Sequence, residues 1–154
     1  MLRRIVPDLA VTTDLIVGFP GETKRDFGET ISLMECVRFD GAFAFKYSSR
    51  SGTPAATLTD QVPETVKAER LQHVLALQRR HSFERNQALL GLTLEVLVDR
   101  TLSKRDSSLL AGRTRQNKIV HFESHKELVE GGLASVEITD CTAHHLKGVL
   151  IASP

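Results

Sequence analysis

The side chains with the clearest chemical potential are basic residues that cluster between positions 100 and 118. Arginine and lysine pair with phosphate oxygens, and a cluster of them attracts a polyanion even though the net charge of the whole chain is only +1. Asn117 and His121 add hydrogen-bonding groups, and Phe122 adds a ring for which we favour a core position over a stacking surface. We interpret the basic residues with Asn117 as an RNA-binding face, against the alternative of ordinary surface charge. This segment contains a single acidic residue, Asp106, and six basic residues: Arg100, Lys104, Arg105, Arg113, Arg115 and Lys118.

A second group of candidate ligand contacts follows two short apolar segments. Residues 18–22 (GFPGE) end the first segment, and residues 46–53 follow the second. If the segments are parallel strands, their carboxyl ends share the edge where barrel active sites lie, and the glycines allow close backbone approach to a ligand. Arg50 suits a phosphate or carboxylate, with a solvated loop charge as the alternative. Glu22 is either a ligand contact or a structural residue near a helix N-terminus.

Several other kinds of site are disfavoured. Cys36 and Cys141 are the two cysteines, and neither lies in a CxxC or CxxxCxxC pattern, so both are expected to be free thiols. The pair His144-His145 lacks a third metal ligand at suitable spacing. Hydrophobic residues make up 41% of the chain, and no apolar run approaches the roughly 20 residues that span a bilayer. We therefore expect a cytoplasmic protein without membrane contact.

The elements that must position these residues begin with a β-α-β unit. Ala10 to Val17 and Ala42 to Tyr47 read as short parallel strands, and Thr23 with Asp26 forms a shortened capping box for the helix between them. A long helix follows, from Pro63 to about Leu89. Its buried stripe is predicted at Leu71, Val74 and Leu75. Because one β-α-β unit cannot cover both faces of its strands, this part should expose apolar surface or pair with something.

The remaining residues predict a small all-β domain. Alternation at Leu92, Leu94, Val96 and Val98 is typical of a strand with one buried face. Five short strands in about sixty residues favour a small closed barrel of the OB kind. The fold class is therefore α+β, with a partial parallel β/α segment over residues 1–90 and an OB-like barrel over residues 91–154. The strands are predicted at residues 92–98, 109–114, 118–122, 134–140 and 145–151.

The order of motifs resembles the C-terminal portion of the MiaB-type tRNA methylthiotransferases, a radical-SAM family. By this resemblance, residues 1–90 are the end of a TIM-like radical-SAM barrel, and residues 91–154 are a TRAM RNA-binding domain. The resemblance covers almost the whole chain. It rests on residues 13–22, 45–55, 61–64, 67–71, 112–114, 117–120, 136–140 and 146–148.

The family adds a methylthio group to carbon 2 of an isopentenylated adenosine beside the anticodon, using S-adenosylmethionine and two 4Fe-4S clusters. The resemblance implies tRNA as a partner, together with an N-terminal cluster-binding portion of the same protein. Neither cluster-binding cysteine set occurs in this chain, so we expect it to retain no cluster and to be inactive alone. The alternatives are a stand-alone RNA-binding module and a degraded, non-functional fragment. The candidate S-adenosylmethionine contacts implied by the resemblance are Ile16, Val17, Gly18, Glu22 and Arg50.

Overall fold

The computed structural model describes residues 2–99, 109–124 and 128–152, and the chain divides into two compact units. The first unit is Val11–His81, and the second combines residues 1–10 with residues 82–154. The division falls within a long helix. The domain boundary near Leu90 stays a prediction, because a division by contacts does not test which segment folds alone.

The first unit contains the predicted β-α-β arrangement. Strands β1 (Thr12–Val17) and β2 (Gly41–Lys46) pair in parallel, with Thr12 opposite Gly41 and Val17 opposite Lys46. Helix α1 (Lys24–Val37) connects them, and helix α2 (Glu64–Gln87) follows β2. The capping box of α1 is confirmed, since the Thr23 hydroxyl accepts from the Asp26 N–H at 3.2 Å and the Asp26 carboxylate accepts from the Thr23 N–H at 2.8 Å.

The core of the first unit lies between one face of this sheet and the two helices. Leu15 and Ala44 pack partly against it, and the buried residues are Val17, Met34, Phe39, Val74 and Leu77. The prediction that Leu75 belongs to the buried stripe is wrong, because its side chain is 48% exposed. Each helical residue advances about 100° around the axis, so the stripe that contains Val74 continues at Leu77 and leaves Leu75 facing outward.

The opposite face of the two-stranded sheet is apolar and uncovered. Ile16 is 62% exposed, Phe43 is 72% exposed and Phe45 is 56% exposed. All three project from the same face, because β1 and β2 are in register and side chains alternate between faces along a strand. The exposed apolar surface that the sequence predicts for an incomplete sheet is therefore present in this unit.

The second unit is built on a closed five-stranded barrel, as predicted. Its strands are β3 (Thr93–Val98), β4 (Leu109–Thr114), β5 (Ile119–Glu123), β6 (Leu133–Cys141) and β7 (His145–Ala152). They pair in the order β3-β4-β5-β7-β6, and β6 closes the barrel on β3. The β5–β7 pair is parallel, and the other pairs are antiparallel.

The barrel interior is filled mainly by β-branched and aliphatic side chains. The predicted inward face of β3 is confirmed at Val96 and Val98, and Leu94 packs partly against the core. Leu92 is exposed, contrary to the prediction, because the strand begins only at Thr93, after Gly91 with φ +77°. The buried core residues are Val96, Val98, Val120, Phe122, Leu128, Ala134, Val136, Ile138 and Leu146.

Among the described residues, neither helix has both the length and the apolar character needed to cross a membrane.

Candidate ligand cavity and nucleic-acid interface

A cavity of about 530 Å³ opens beside the carboxyl ends of β1 and β2. Its volume lies within the range of small-molecule sites in proteins. Both strands end at this edge because they are parallel, which is what brings residues from two distant segments together. The apolar lining residues are Ile16, Phe19, Phe45, Tyr47 and Ala55, and the polar ones are Lys46, Ser48, Arg50 and Thr53.

The turn after β1 is held by a nearly buried ion pair. One carboxylate oxygen of Glu22 accepts hydrogen bonds from both the Gly18 N–H and the Arg70 guanidinium. Arg70 also donates to the Glu22 carbonyl at 3.0 Å, and the two side chains are only 10% and 11% exposed. Gly18 has φ +73°, a conformation that side-chain-bearing residues rarely adopt. Glu22 therefore anchors the turn, and the sequence offered no signal for Arg70 as its partner.

Buried Lys67 packs directly beneath this turn. A Cβ atom at Gly18 would lie 2.4 Å from Lys67 Cγ, so the glycine leaves the space that the lysine stem fills. The Lys67 ammonium donates to Glu64 at 2.8 Å and lies 5.2 Å from the centroid of the Tyr47 ring. The i,i+3 spacing from Glu64 was the only sequence signal for this contact.

Glu64 compensates two lysines near the cavity. Its carboxylate accepts from Lys67, and from Lys46 at 2.9 Å. The hydrogen bond from Lys67, and then that from Lys46, lowers the pKa of Glu64 to about 2. The charge of Lys46 is therefore offset at neutral pH, even though its side chain lines the cavity.

The candidate cofactor contacts have different surroundings. Ile16 is exposed and lines the cavity, whereas Val17 is fully buried in the core and offers no side-chain surface to a ligand. Arg50 is exposed and lines the cavity, and its guanidinium makes no hydrogen bond or ion pair with any residue that the structure describes. Arg50 is therefore a cavity-lining cation that is available to an anionic group.

The described residues do not fit an iron–sulfur cluster. Such a cluster needs several thiolates at close spacing, and the chain has two cysteines, exposed Cys36 in the first unit and partly buried Cys141 in the second. Burial raises the pKa of the Cys141 thiol, which disfavours the thiolate that a metal requires. In residues 2–99, 109–124 and 128–152, no three histidine, cysteine or acidic side chains come together as a metal site.

In the second unit, the turn between β4 and β5 presents part of the predicted RNA-binding face. Arg113 donates to the Asn117 side-chain oxygen at 3.0 Å, and Asn117 has φ +61°. Arg115 is 79% exposed and pairs with Glu95 at 2.9 Å. An exposed pair of this kind contributes little to stability, so phosphate oxygens can replace the carboxylate.

Lys118 has a different environment from the two arginines. Its ammonium donates to the side chain of buried Asn86 at 2.8 Å, and Asn86 in turn donates to the Thr142 carbonyl at 2.8 Å. These bonds tie the last turns of α2 to two loops of the barrel. Lys118 therefore has a structural role in the second unit, in addition to its predicted contact with RNA.

The other predicted members of this face have mixed outcomes. Arg100, Lys104 and Arg105 lie outside the described residues. Phe122 is 1% exposed, which confirms the favoured core position and excludes it as a stacking surface. His121 contacts His145 on the neighbouring parallel strand, with ring centroids 5.2 Å apart.

Sequence comparisons find close relatives for nearly the whole chain. It is 50% identical over 150 residues, or 97% of its length, to the tRNA-2-methylthio-N(6)-dimethylallyladenosine synthase of Thermoanaerobacter sp. (strain X514). Proteins of the same name from Thermobifida fusca (strain YX) and from a Pseudomonas aeruginosa strain are 46% and 44% identical over 94% and 99% of the chain. No family model matches. The chain spans only 31%, 30% and 34% of these three relatives, or about a third of their length.

Proposed function

We infer that this chain is the C-terminal part of a MiaB-type tRNA methylthiotransferase, and we propose that it contributes tRNA binding and one wall of the active-site cavity. The observation that carries the proposal is identity of 44% to 50% over almost the entire chain to proteins that all bear one name. Such identity extends across both units. The proposed reaction of the whole protein is methylthio transfer to carbon 2 of an N6-dimethylallyladenosine in tRNA.

The first unit is proposed as the end of the radical-SAM barrel, with the cavity at the carboxyl ends of its strands facing S-adenosylmethionine. Ile16 is proposed as a direct contact to S-adenosylmethionine, and Arg50 as a contact to its methionine carboxylate or to a substrate phosphate, since both residues line the cavity and both are exposed. Val17, Gly18 and Glu22 are proposed to shape the pocket indirectly. Val17 does so from the core, and Gly18 and Glu22 do so through the hydrogen bond that holds the turn after β1. The missing barrel strands and the cluster-binding cysteines are proposed to come from the N-terminal portion of the protein.

The second unit is proposed as an OB-like TRAM domain that binds tRNA. Its strand order closes into a barrel, and OB-like barrels bind oligonucleotides through their faces and loops. Arg115 and Asn117 provide the exposed part of the binding face, with half-buried Arg113 and Lys118 beside them. Arg100, Lys104 and Arg105 are proposed to extend it.

A stand-alone RNA-binding module is the second candidate function. The barrel has its own buried core and no unpaired edge among the described strands, which favours a unit that persists without the rest of an enzyme. Both candidates share the RNA-binding face. They differ in whether the cavity of the first unit is used.

The first test measures binding of the full chain to a tRNA anticodon stem–loop over a series of salt concentrations. Combining Arg113→Ala with Arg115→Ala should weaken binding and lower the slope of log affinity against log salt by about 1.5, because each lost phosphate contact removes roughly 0.7–0.9 of slope. Fluorescence anisotropy of a labelled RNA gives both quantities.

The matched control removes two positive charges from the first unit instead. Lys24 and Arg25 are exposed on α1, and their double alanine variant should leave the salt slope unchanged. If the two double variants bind RNA alike, the assignment of the β4–β5 turn to the RNA-binding face is wrong.

A further inference from the structure

We propose that Phe19 and Phe45 form the subsite that binds the dimethylallyl group of the substrate adenosine, beside Ile16, which is proposed to contact S-adenosylmethionine. This inference rests on the proposed function and assigns substrate selectivity to named side chains. Both phenylalanines line the same cavity. The dimethylallyl group is a branched five-carbon hydrocarbon, and it distinguishes the modified nucleoside from ordinary adenosine by apolar surface alone.

The first observation is the exposure of this apolar wall. Phe45 projects from the open face of the two-stranded sheet and is 56% exposed. Phe19 is 46% exposed, with its ring packed edge to face on Tyr47 at a centroid distance of 5.2 Å. Adjoining exposed apolar side chains in a concave site are typical of a surface that a ligand covers.

The second observation is the combination of apolar and cationic groups in one cavity. The Lys46 ammonium is paired with Glu64. The Arg50 guanidinium, in contrast, has no partner among the described residues. A dimethylallylated nucleotide has the matching pair of features, a hydrocarbon branch and an anionic phosphate. Guanidinium groups bind phosphate oxygens through two parallel hydrogen bonds.

The third observation is the packing of the buried Tyr47 side chain, whose position does not depend on a hydrogen bond from its hydroxyl to any described residue. The Tyr47 ring is fixed between Phe19 and the Lys67 ammonium. Tyr47 therefore positions the Phe19 ring, and the wall is held in place before a ligand arrives. An aromatic wall that is already ordered loses little conformational freedom on binding.

The test compares two anticodon stem–loop RNAs that differ only in the N6-dimethylallyl group of one adenosine. The full chain should bind the dimethylallylated RNA about tenfold more tightly, the lower end of what an apolar pocket contributes for a small hydrocarbon group. Phe45→Ala should bring the ratio of the two affinities close to one. Fluorescence anisotropy measures all four affinities.

Phe43→Ala is the matched control. Phe43 lies two residues earlier on the same strand, projects from the same face and is even more exposed, but it does not line the cavity. This variant should keep the tenfold preference. Phe45→Leu should restore part of it, and circular dichroism should show the same fold for all three variants.

Equal affinity of the unsubstituted chain for the two RNAs would overturn the inference, as would loss of the preference in Phe43→Ala. The proposed function survives that result if both RNAs bind and lose affinity in the Arg113→Ala, Arg115→Ala variant. If neither RNA binds, both the function and the inference fail. A further arm adds S-adenosylmethionine, and removal of the preference by competition would assign the wall to the cofactor instead.

Discussion

The charged residues around the cavity differ in what holds them. Glu22 and Arg70 pair with one another while almost buried, and Lys67 and Lys46 share Glu64. Arg50 has no such partner among the described residues. Removing one partner of a buried pair destabilises the fold, whereas an unpaired exposed charge is free to bind a ligand, so the six charged residues have separate roles.

The Glu22–Arg70 pair gives a prediction about stability. Arg70→Ala leaves the Glu22 carboxylate nearly buried without its cation, and it should lower the free energy of unfolding by about 3 kcal/mol. Urea unfolding followed by circular dichroism measures this change. Arg25→Ala is the control, since Arg25 and Glu29 pair at 3.3 Å with both side chains exposed, and its effect should stay within about 0.5 kcal/mol. Equal effects of the two variants would show that the buried pair does not hold the turn.

Among the structural elements, the barrel strands have two glycines whose positions leave no room for a side chain. A Cβ atom at Gly112 would lie 2.3 Å from the Leu97 carbonyl oxygen, and one at Gly148 would lie 2.4 Å from the Glu137 carbonyl oxygen. Both neighbours are backbone atoms of adjacent strands and cannot rotate away. The glycines therefore permit the close strand approach on which closure of the barrel depends.

Two glycine-to-alanine variants test whether the close strand contact is what excludes a side chain, one in the barrel and one on an open helix surface. Gly148→Ala should lower the free energy of unfolding of the barrel by about 3 kcal/mol, at the upper end of overpacking costs. Gly28→Ala on α1 meets no atom within 4 Å and should stabilise its helix by up to about 1 kcal/mol. Thermal unfolding of the two variants should therefore shift in opposite directions. A neutral Gly148→Ala would mean that β6 and β7 can separate without cost.

Over the whole molecule, the two units differ in how completely their sheets are paired. The five barrel strands each have two neighbours, because the sheet closes on itself. Strands β1 and β2 have only one another among the described residues, and one face of their sheet carries exposed Ile16, Phe43 and Phe45. Unpaired edges and an uncovered face are the conditions under which a sheet opens locally.

Hydrogen exchange tests this difference in the intact chain. Backbone amides of β1 and β2 should exchange faster than those of β5 and β6, because local opening of a two-stranded sheet breaks fewer contacts. Mass spectrometry of peptides from deuterated protein resolves the four strands. Equal protection would indicate that residues 11–46 form a complete structure as they stand.

The sequence by itself determined the elements and the capping chemistry. Alternation from Leu92 to Val98 identified β3, although Leu92 itself precedes the strand, and the Thr23–Asp26 spacing identified the capping box of α1. These features depend on residues within a few positions of one another, where one backbone conformation satisfies the pattern. The family resemblance came from the same local motifs, and the comparisons confirm it.

Only the tertiary structure decided which polar side chains hold the fold of each unit and which are available to a ligand. The bond from Arg70 to Glu22 spans 48 positions and that from Lys118 to Asn86 spans 32, so no local pattern predicts either. The burial of Val17 and the exposure of Phe45 likewise depend on which face of the sheet the helices cover. Long-range packing selects one arrangement from many that the local sequence allows, and it separates the residues that hold the fold from those that remain available to a ligand.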